Sequence, residues 1–289
     1  MGIDAHKRTH TVVAIDEAGR KLGEKTTLAT TTEANLEVVR WADGFGSERR
    51  FAVEDCRHLS RRLEADLLQA GEELVRVPPK MMAHARDAAR TYGKSDPIDA
   101  LAVARAALRE PGLPIARLDG PSRDLRLLVD HREDLVKDRT AQVNRLRWHL
   151  HELDPSWDPA PRSLVHFKHL DALAARLEGL EGTVAWVARD LVARIRELTV
   201  AANELQREIT QLIGGLAPTL LGLPGVGALT AAKIVAEVAD VRRFRSKDAF
   251  ARHNGTAPLP VWSSNTVRHR LSRTGNRQIN CALHRISIT

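Results

Sequence analysis

The fold of the N-terminal region is decided by the stretch Thr11-Val12-Val13-Ala14-Ile15-Asp16-Glu17-Ala18-Gly19. Residues 11–15 are mostly apolar and rich in β-branched side chains, which favours a strand. Residues 16–19 have the composition of a turn, and residues 21–30 form a second, more polar strand-like run. The stretch therefore predicts a β-hairpin.

Beyond this hairpin, helical and strand-like patterns alternate. Residues 32–41 and 58–70 have helical periodicity, and residues 81–108 are mainly helical with an interruption at Gly93. The apolar runs 51–54 and 73–77 lie between them and resemble strands. Strands that alternate with helices predict an α/β sheet domain over residues 1–115.

The next region, residues 116–215, has the pattern of a helical hairpin. Apolar residues recur every seven positions at Val129, Val136, Val143 and Leu150, which is typical of a short coiled-coil seam. Arginines take the other core position, at Arg132 and Arg139. Residues 154–161 break the helix, and a second long helix is predicted over residues 163–213, weakened at Gly179 and Gly182. We expect this hairpin to mediate self-association into a homo-oligomer.

Residues 216–289 form a small, mainly α-helical C-terminal domain with a glycine-rich turn. Leu223-Pro224-Gly225-Val226-Gly227 precedes a predicted helix at residues 228–238 and is similar to a helix-hairpin-helix element. Glycines before a helix let backbone N–H groups approach a phosphate. Gly225 and Gly227 are therefore candidate nucleic-acid-binding residues.

The charge of the chain is concentrated at its C-terminal end. The 289 residues carry a net charge of +7, but residues 241–289 alone hold ten basic residues and a single acid, Asp248. A solvated basic face is the alternative, although the Gly, Pro, Trp and Ser content of this block disfavours simple helical repeats. The block predicts a polyanionic partner, with contacts from Arg242, Arg243, Arg245, Arg268, Arg270, Arg273 and Arg277.

Composition excludes several other classes of protein. Two cysteines, Cys56 and Cys281, give neither a disulfide framework nor a zinc-binding pair. No apolar stretch reaches the length of a membrane span, and no signal peptide is visible. The sequence predicts a cytoplasmic protein with no membrane partner.

Four acidic residues have the spacing of a divalent-metal site. Asp4 and Glu54 end strand-like runs, and Asp96 and Asp99 lie three residues apart on a predicted helix. Clustered carboxylates hold Mg²⁺, which suits phosphoryl transfer on nucleic acid. Two alternatives stay open: Asp96 serves only as a helix N-cap, and Asp55 replaces Glu54 at the site.

The sequence alone does not single out a nucleophile. Tyr92 is the only tyrosine, and Ser263 and Ser264 lie in a predicted loop over residues 258–265 inside the basic block. A serine beside arginines and Mg²⁺ can attack a phosphodiester. From the residues alone, an ordinary polar loop is the favoured interpretation.

Several of these motifs together resemble one known family. Gly2-Ile3-Asp4, Val53-Glu54 and Gly93-Lys94-Ser95-Asp96-Pro97-Ile98-Asp99-Ala100 are similar to the N-terminal domain of DEDD transposases of bacterial insertion sequences, the insertion-sequence "one-ten" family. The resemblance continues through residues 223–227, residues 250–258, Ser263-Ser264 and Arg273-Thr274-Gly275-Asn276-Arg277. It covers nearly the whole chain, in the order of the family.

The resemblance implies a fold and a mechanism. The fold is an RNase H-like (RuvC-like) domain joined by a coiled coil to a smaller transposase domain, and the partners are DNA and a structured guide ("bridge") RNA. The implied catalytic residues are the Mg²⁺-binding acids Asp4, Glu54, Asp96 and Asp99, with Ser264 forming a covalent link to DNA. Ser263 stays an alternative because Asn265 replaces a frequent glycine of the family.

The chain departs from the family pattern in two ways, and two rival functions stay open. Only three residues precede Asp4, and the chain ends at Thr289 where the family continues with more helix, so we expect an effect on activity rather than on fold. One rival is a RuvC-like Holliday-junction-type endonuclease that uses the same acids with water as nucleophile. The other is a decayed copy that binds nucleic acid without activity.

Overall fold

The computed structural model describes residues 1–79, 81, 95–110, 112–118, 120–263, 266–272 and 275–289. The chain divides into two compact units, Met1–Asp119 and Gly120–Thr289. Along the described ranges, no helix combines the length and the apolar character needed to cross a membrane.

The first unit is built on a five-stranded sheet. Its strands are β1 (Gly2–Ala5), β2 (His10–Ile15), β3 (Lys21–Thr26), β4 (Phe51–Glu54) and β5 (Leu74–Val77), in the spatial order β3-β2-β1-β4-β5. Strands β1, β2 and β3 are antiparallel neighbours, whereas β1, β4 and β5 run parallel. The predicted hairpin is confirmed as β2–β3, and the mixed α/β sheet is compatible with an RNase H-like domain.

Among the described residues, the sheet is covered on its two faces by the helices α1 (Thr32–Ala42), α2 (Arg57–Gln69) and α3 (Asp96–Arg109). Strand alternation gives each face its own apolar core. One core joins the sheet to α1 and α2 and includes Ile3, Val12, Val38, Phe51, Val53, Leu63 and Leu67. The other packs α3 on the opposite face and includes Ala52, Val75, Val77, Ala102, Val103 and Ala106.

In the second unit, two long helices lie side by side. These are α4 (Pro121–Leu153) and α6 (Thr183–Leu216), with the shorter α5 (Phe167–Glu178) between them in sequence. One buried cluster includes Leu146, Leu150, Val192 and Ile195. Another includes Leu125, Val129, Ile209 and Ile213. The seven-residue repeat of α4 therefore packs against α6 of the same unit.

The prediction of one continuous helix over residues 163–213 is wrong. A short 3₁₀ turn, Ser163–Val165, is followed by α5, which ends before Gly179. Gly182 then adopts a positive φ of 98°, which an L side chain rarely takes, and α6 starts after it. The two glycines end one helix and begin the next, so they do more than weaken a single helix.

The described C-terminal part of this unit contains four α-helices and a ribbon. The helices are α7 (Pro218–Leu221), α8 (Ala228–Val238), α9 (Lys247–Asn254) and α10 (Arg277–Ser287). The predicted loop at residues 258–265 is wrong, because Leu259–Ser263 forms β6 and pairs with β7 (Thr266–Arg270). Pro258 and Pro260 suggest a loop, but a proline is tolerated in a strand without a neighbour on one side.

Candidate metal centre

The acidic site begins at the carboxyl ends of β1 and β4. These parallel neighbours pair Gly2 with Ala52 and Ile3 with Val53. Asp4 and Glu54 follow one position later in each strand, and alternation places them on the face that carries Ala52 and α3. Glu54 itself pairs with Val77 of β5. The fold thus brings two acids that are 50 positions apart to the same edge of the sheet.

The other two acids belong to the first turn of α3. The helix begins at Asp96, with Ser95 at the N-cap position and Pro97 in the first turn. The alternative that Asp96 is only the N-cap is therefore wrong, because the preceding residue, Ser95, is the N-cap. Asp99 lies one turn further along and is buried. Negatively charged side chains in the first turn of a helix interact favourably with the positive end of its dipole.

A histidine that the sequence analysis missed joins the two acidic pairs. The Nε2 atom of His6 lies 2.9 Å from Oδ2 of Asp4 and 3.4 Å from Oδ1 of Asp96. The ligand atoms of Asp4, His6 and Asp96 all lie within 4.8 Å of one another. Strand alternation offered a signal for it, since His6 follows Asp4 by two positions and so lies on the same face.

Burial and like charge act together on Asp4. Burial raises the pKa of its carboxyl above the ordinary value, His6 opposes this, and the negative charges of Asp99 and Asp96 raise the pKa further. Burial also raises the pKa of the Cys56 thiol, with contributions from Glu54 and Asp4 among others. The charges of Asp99 and Asp96 therefore act on Asp4, and those of Glu54 and Asp4 act on Cys56.

The four predicted acids are therefore not equivalent in the fold. Within the described part of the chain, one group has the spacing of a metal site, and it contains Asp4, His6 and Asp96. Glu54 and Asp99 are not part of this group. Carboxylate oxygens are the donors that Mg²⁺ and Mn²⁺ prefer, and clustered acids repel one another unless a cation lies between them. The donor set fits a divalent metal ion.

Two families of transposase domains match this chain. Residues 1–155 match the transposase domain of DEDD type found in IS110 elements. Residues 217–289 match the domain described as transposase of the IS116/IS110/IS902 family. The chain belongs to the IS110/IS116 family of transposases.

Individual relatives come from several bacteria. An uncharacterized protein of insertion element IS116 from Streptomyces clavuligerus is 28% identical over 96% of this transposase and 78% of the relative. An uncharacterized protein of IS900 from Mycobacterium paratuberculosis is 33% identical, over 49% of this chain and 36% of its own. The transposase for element IS1111A of Coxiella burnetii is 26% identical, over 66% and 53% of the two chains.

The basic block of the transposase is largely exposed, but its arginines differ in their partners. Arg245, Arg268, Arg270 and Arg277 are exposed. Arg242 instead forms an ion pair with Asp240, with 3.0 Å between Nε and Oδ1. Arg243 stacks over the Phe244 ring and contacts His253. Arg273 and Ser264 lie outside the described residues.

The glycine-rich turn leads directly into α8. Gly225 has a φ of 76°, and a β-carbon there would come 2.9 Å from the carbonyl oxygen of Ile286. Gly227 occupies the N-cap position of α8 without a side-chain cap. Both glycines therefore lie where the backbone, rather than a side chain, forms the local surface.

Proposed function

We propose that this transposase cleaves and rejoins DNA strands at a Mg²⁺ centre formed by Asp4, Glu54, Asp96 and Asp99. The observation that carries the proposal is the shared approach of Asp4 and Asp96 to His6. It supports a common site because the two acids come from a strand end and from a separate helix. When bound, Mg²⁺ supplies positive charge that stabilises a phosphodiester during cleavage.

The residues of the site have different roles in this proposal. Asp4 is held by the sheet and by His6, so its carboxylate is oriented before DNA arrives. Asp96 has a half-exposed side chain and faces incoming substrate, whereas Asp99 is buried and supports the negative charge of the site. His6 is a positioning residue that holds the carboxylates of Asp4 and Asp96 close to each other.

Ser264 is the proposed nucleophile. Its hydroxyl oxygen attacks the phosphorus, a new serine–phosphate bond forms, the bridging P–O bond of DNA breaks, and the leaving DNA oxygen takes a proton. The support is the family resemblance, which includes the pair Ser263-Ser264 inside the basic block. Ser263, the last residue of β6, is the alternative nucleophile.

Further partners complete the proposal. A structured guide RNA follows from the resemblance, and Gly225, Gly227 and the C-terminal arginines supply contacts to the nucleic-acid backbone. The turn between α7 and α8 acts as the helix-hairpin-helix-like element. The basic residues Arg242, Arg243, Arg245, Arg268, Arg270, Arg273 and Arg277 supply the electrostatic attraction.

Self-association also belongs to the proposal. Val129 and Leu150 of the predicted seam are buried within their own unit, so a second copy must contact other parts of these helices. Trp148 and Trp186 are exposed by 75% and 62% and offer apolar surface. Changing both to serine should shift the sedimentation of the transposase toward the monomer, and an unchanged distribution would exclude these tryptophans from the interface.

Strand cleavage and adduct formation test the chemistry. The transposase is assembled with DNA and RNA from its element and run on a denaturing gel. We expect a protein–DNA adduct in the wild type that is absent in Ser264→Ala, and Asp96→Asn should lose cleavage while retaining nucleic-acid binding. Glu54→Gln should also lose cleavage, with the adjacent Asp55→Asn as its matched control.

Each rival function predicts a different gel. An adduct that persists in Ser264→Ala and vanishes in Ser263→Ala transfers the nucleophile to Ser263. Cleavage without any adduct identifies the water-using endonuclease. Binding without metal-dependent cleavage identifies a decayed copy.

A further inference from the structure

The second unit contains a basic cleft of its own. It has a volume of about 280 Å³ and lies among α4, α8 and α10. Its apolar walls include Val129, Val136, Leu229 and Ala282. Its charged lining consists of Arg132, Lys137, Lys233 and Arg285 against one acid, Glu133.

Two of these cations already have acidic partners. The Lys233 ammonium, whose side chain is 6% exposed, forms an ion pair with Glu133. Lys137 pairs with Asp134 at 2.7 Å. Within the described ranges, Arg132 and Arg285 form no ion pair, so the cleft keeps the positive charge of two guanidinium groups.

Arg132 is the most informative of these residues. Its Nη2 donates a hydrogen bond to Oε1 of Gln206 at 2.7 Å, which is a neutral partner. Its Nε is buried and finds no acceptor in the part of the chain that the structure describes. Burial, with repulsion from Arg139, lowers the pKa of this guanidinium, and attraction to Glu133 offsets only part of this effect. A cation held in this way costs free energy unless an anion joins it.

We propose that this cleft binds a phosphodiester of the DNA backbone through Arg132 and Arg285. A guanidinium presents parallel N–H donors that match phosphate oxygens better than an ammonium does. The apolar walls suit the adjoining sugar, and the volume is close to that of the smallest ligand pockets, about 300 Å³. The proposal rests on the transposase acting on DNA, but not on its metal centre or its serine.

The first test is the salt dependence of DNA affinity for Arg132→Gln. Each phosphate contact contributes roughly 0.9 to the log–log slope on duplex DNA, so the slope should fall by about that amount, with a severalfold weaker affinity at low salt. The matched control is Arg207→Gln, which removes an exposed arginine of α6 outside the cleft. An unchanged slope in Arg132→Gln would overturn the proposal.

Stability separates binding from a structural role. Because Arg132 is partly buried without an acidic partner, Arg132→Gln should keep or raise the melting temperature while DNA affinity falls. A lower melting temperature with unchanged affinity would show that Arg132 acts only in packing. Arg285→Gln, at an exposed position of α10, repeats the affinity measurement with less effect on the fold.

Cys281 provides a direct probe because its exposed thiol lines the cleft. The wild-type transposase is treated with iodoacetamide alone, with duplex DNA, with RNA or with inorganic phosphate, and the alkylation of each cysteine is followed by peptide mass spectrometry. DNA should slow the alkylation of Cys281 severalfold in the wild type but not in Arg132→Gln. If RNA or inorganic phosphate protects Cys281 and DNA does not, the assignment to DNA is overturned.

These measurements need neither metal nor strand cleavage. If Asp96→Asn cleaves as well as the wild type, the metal-centre proposal fails while the cleft result stands. If DNA does not protect Cys281, and Arg132→Gln binds DNA as tightly as the wild type, the cleft proposal fails. The metal-centre proposal is then unaffected.

Discussion

Gly2 lies directly against the backbone of Ala100, so that a β-carbon added at Gly2 would come within 2.1 Å of the Ala100 carbonyl oxygen. The same β-carbon would lie 2.3 Å from the backbone nitrogen of Ala104. Because this contact lets α3 pack closely against β1, it sets the distance of Asp96 and Asp99 from Asp4. Glycine is therefore required two positions before the first acid.

We expect Gly2→Ala to displace α3 and to destabilise the first unit by about 1–3 kcal/mol, the usual cost of overpacking. It should also reduce the stabilisation by Mg²⁺, since the two halves of the acidic site move apart. Thermal unfolding with and without Mg²⁺ measures both effects. Gly179→Ala is the matched control, because nothing lies within 4 Å of that position. A Gly2→Ala protein as stable as wild type would show that α3 adjusts freely.

Asp4→Asn should stabilise the metal-free transposase at pH 7. The pKa of the folded-state carboxyl is raised above 3.8, so its favourable contribution is complete below that pH and is lost as the pH rises through the folded pKa. At neutral pH the buried negative charge is a cost that asparagine removes.

Melting curves at pH 4 and pH 7 test this difference. The advantage of Asp4→Asn should be larger at pH 7, and Mg²⁺ should raise the melting temperature of the wild type more than that of the variant. Glu48→Gln, at an exposed position, should change neither. A variant that is less stable than wild type at pH 7 without metal would contradict the electrostatic cost.

His10 should make the first unit sensitive to acid. Its side chain is 1% exposed, and burial, with repulsion from His6, lowers its pKa from 6.5 to about 4. The unfolded chain then binds the proton more tightly, so stability present above pH 6.5 is lost as the pH falls towards 4. The full loss is on the order of 3 kcal/mol.

Urea unfolding across this pH range measures the effect. His10→Leu should flatten the decline of the free energy of unfolding between pH 6.5 and 4. The same change at exposed His131 should leave that decline in place. An equally steep decline in His10→Leu would assign the acid sensitivity to other groups.

The exposed arginines of β7 should contribute more to DNA binding than a paired arginine does. Arg268→Gln combined with Arg270→Gln should lower the log–log salt slope by roughly 1.8, from two lost phosphate contacts. Arg242→Gln should lower it less, because its guanidinium is already paired with Asp240. Equal losses per residue would mean that the Asp240 pair opens on binding.

Much of the first unit was predictable because its signals are local. The β2–β3 hairpin and the strands near residues 51–54 and 74–77 follow from apolar runs between turn residues. The acids at strand ends and in the first turn of α3 were identified from spacing alone. The predicted loop at residues 258–265 was wrong because its prolines suggest a break. Residues 259–263 instead form a strand that pairs with residues 266–270.

The sequence by itself determined the alternation of strands and helices, the four acids as candidates, and the concentration of positive charge after residue 240. Only the tertiary structure decided that His6 lies between Asp4 and Asp96. It also decided that Arg132 is partly buried beside Gln206 and forms no ion pair within the described residues. The physical reason is the range of the forces. Periodicity and turn chemistry act over a few residues, whereas burial and pairing depend on which distant segments pack together.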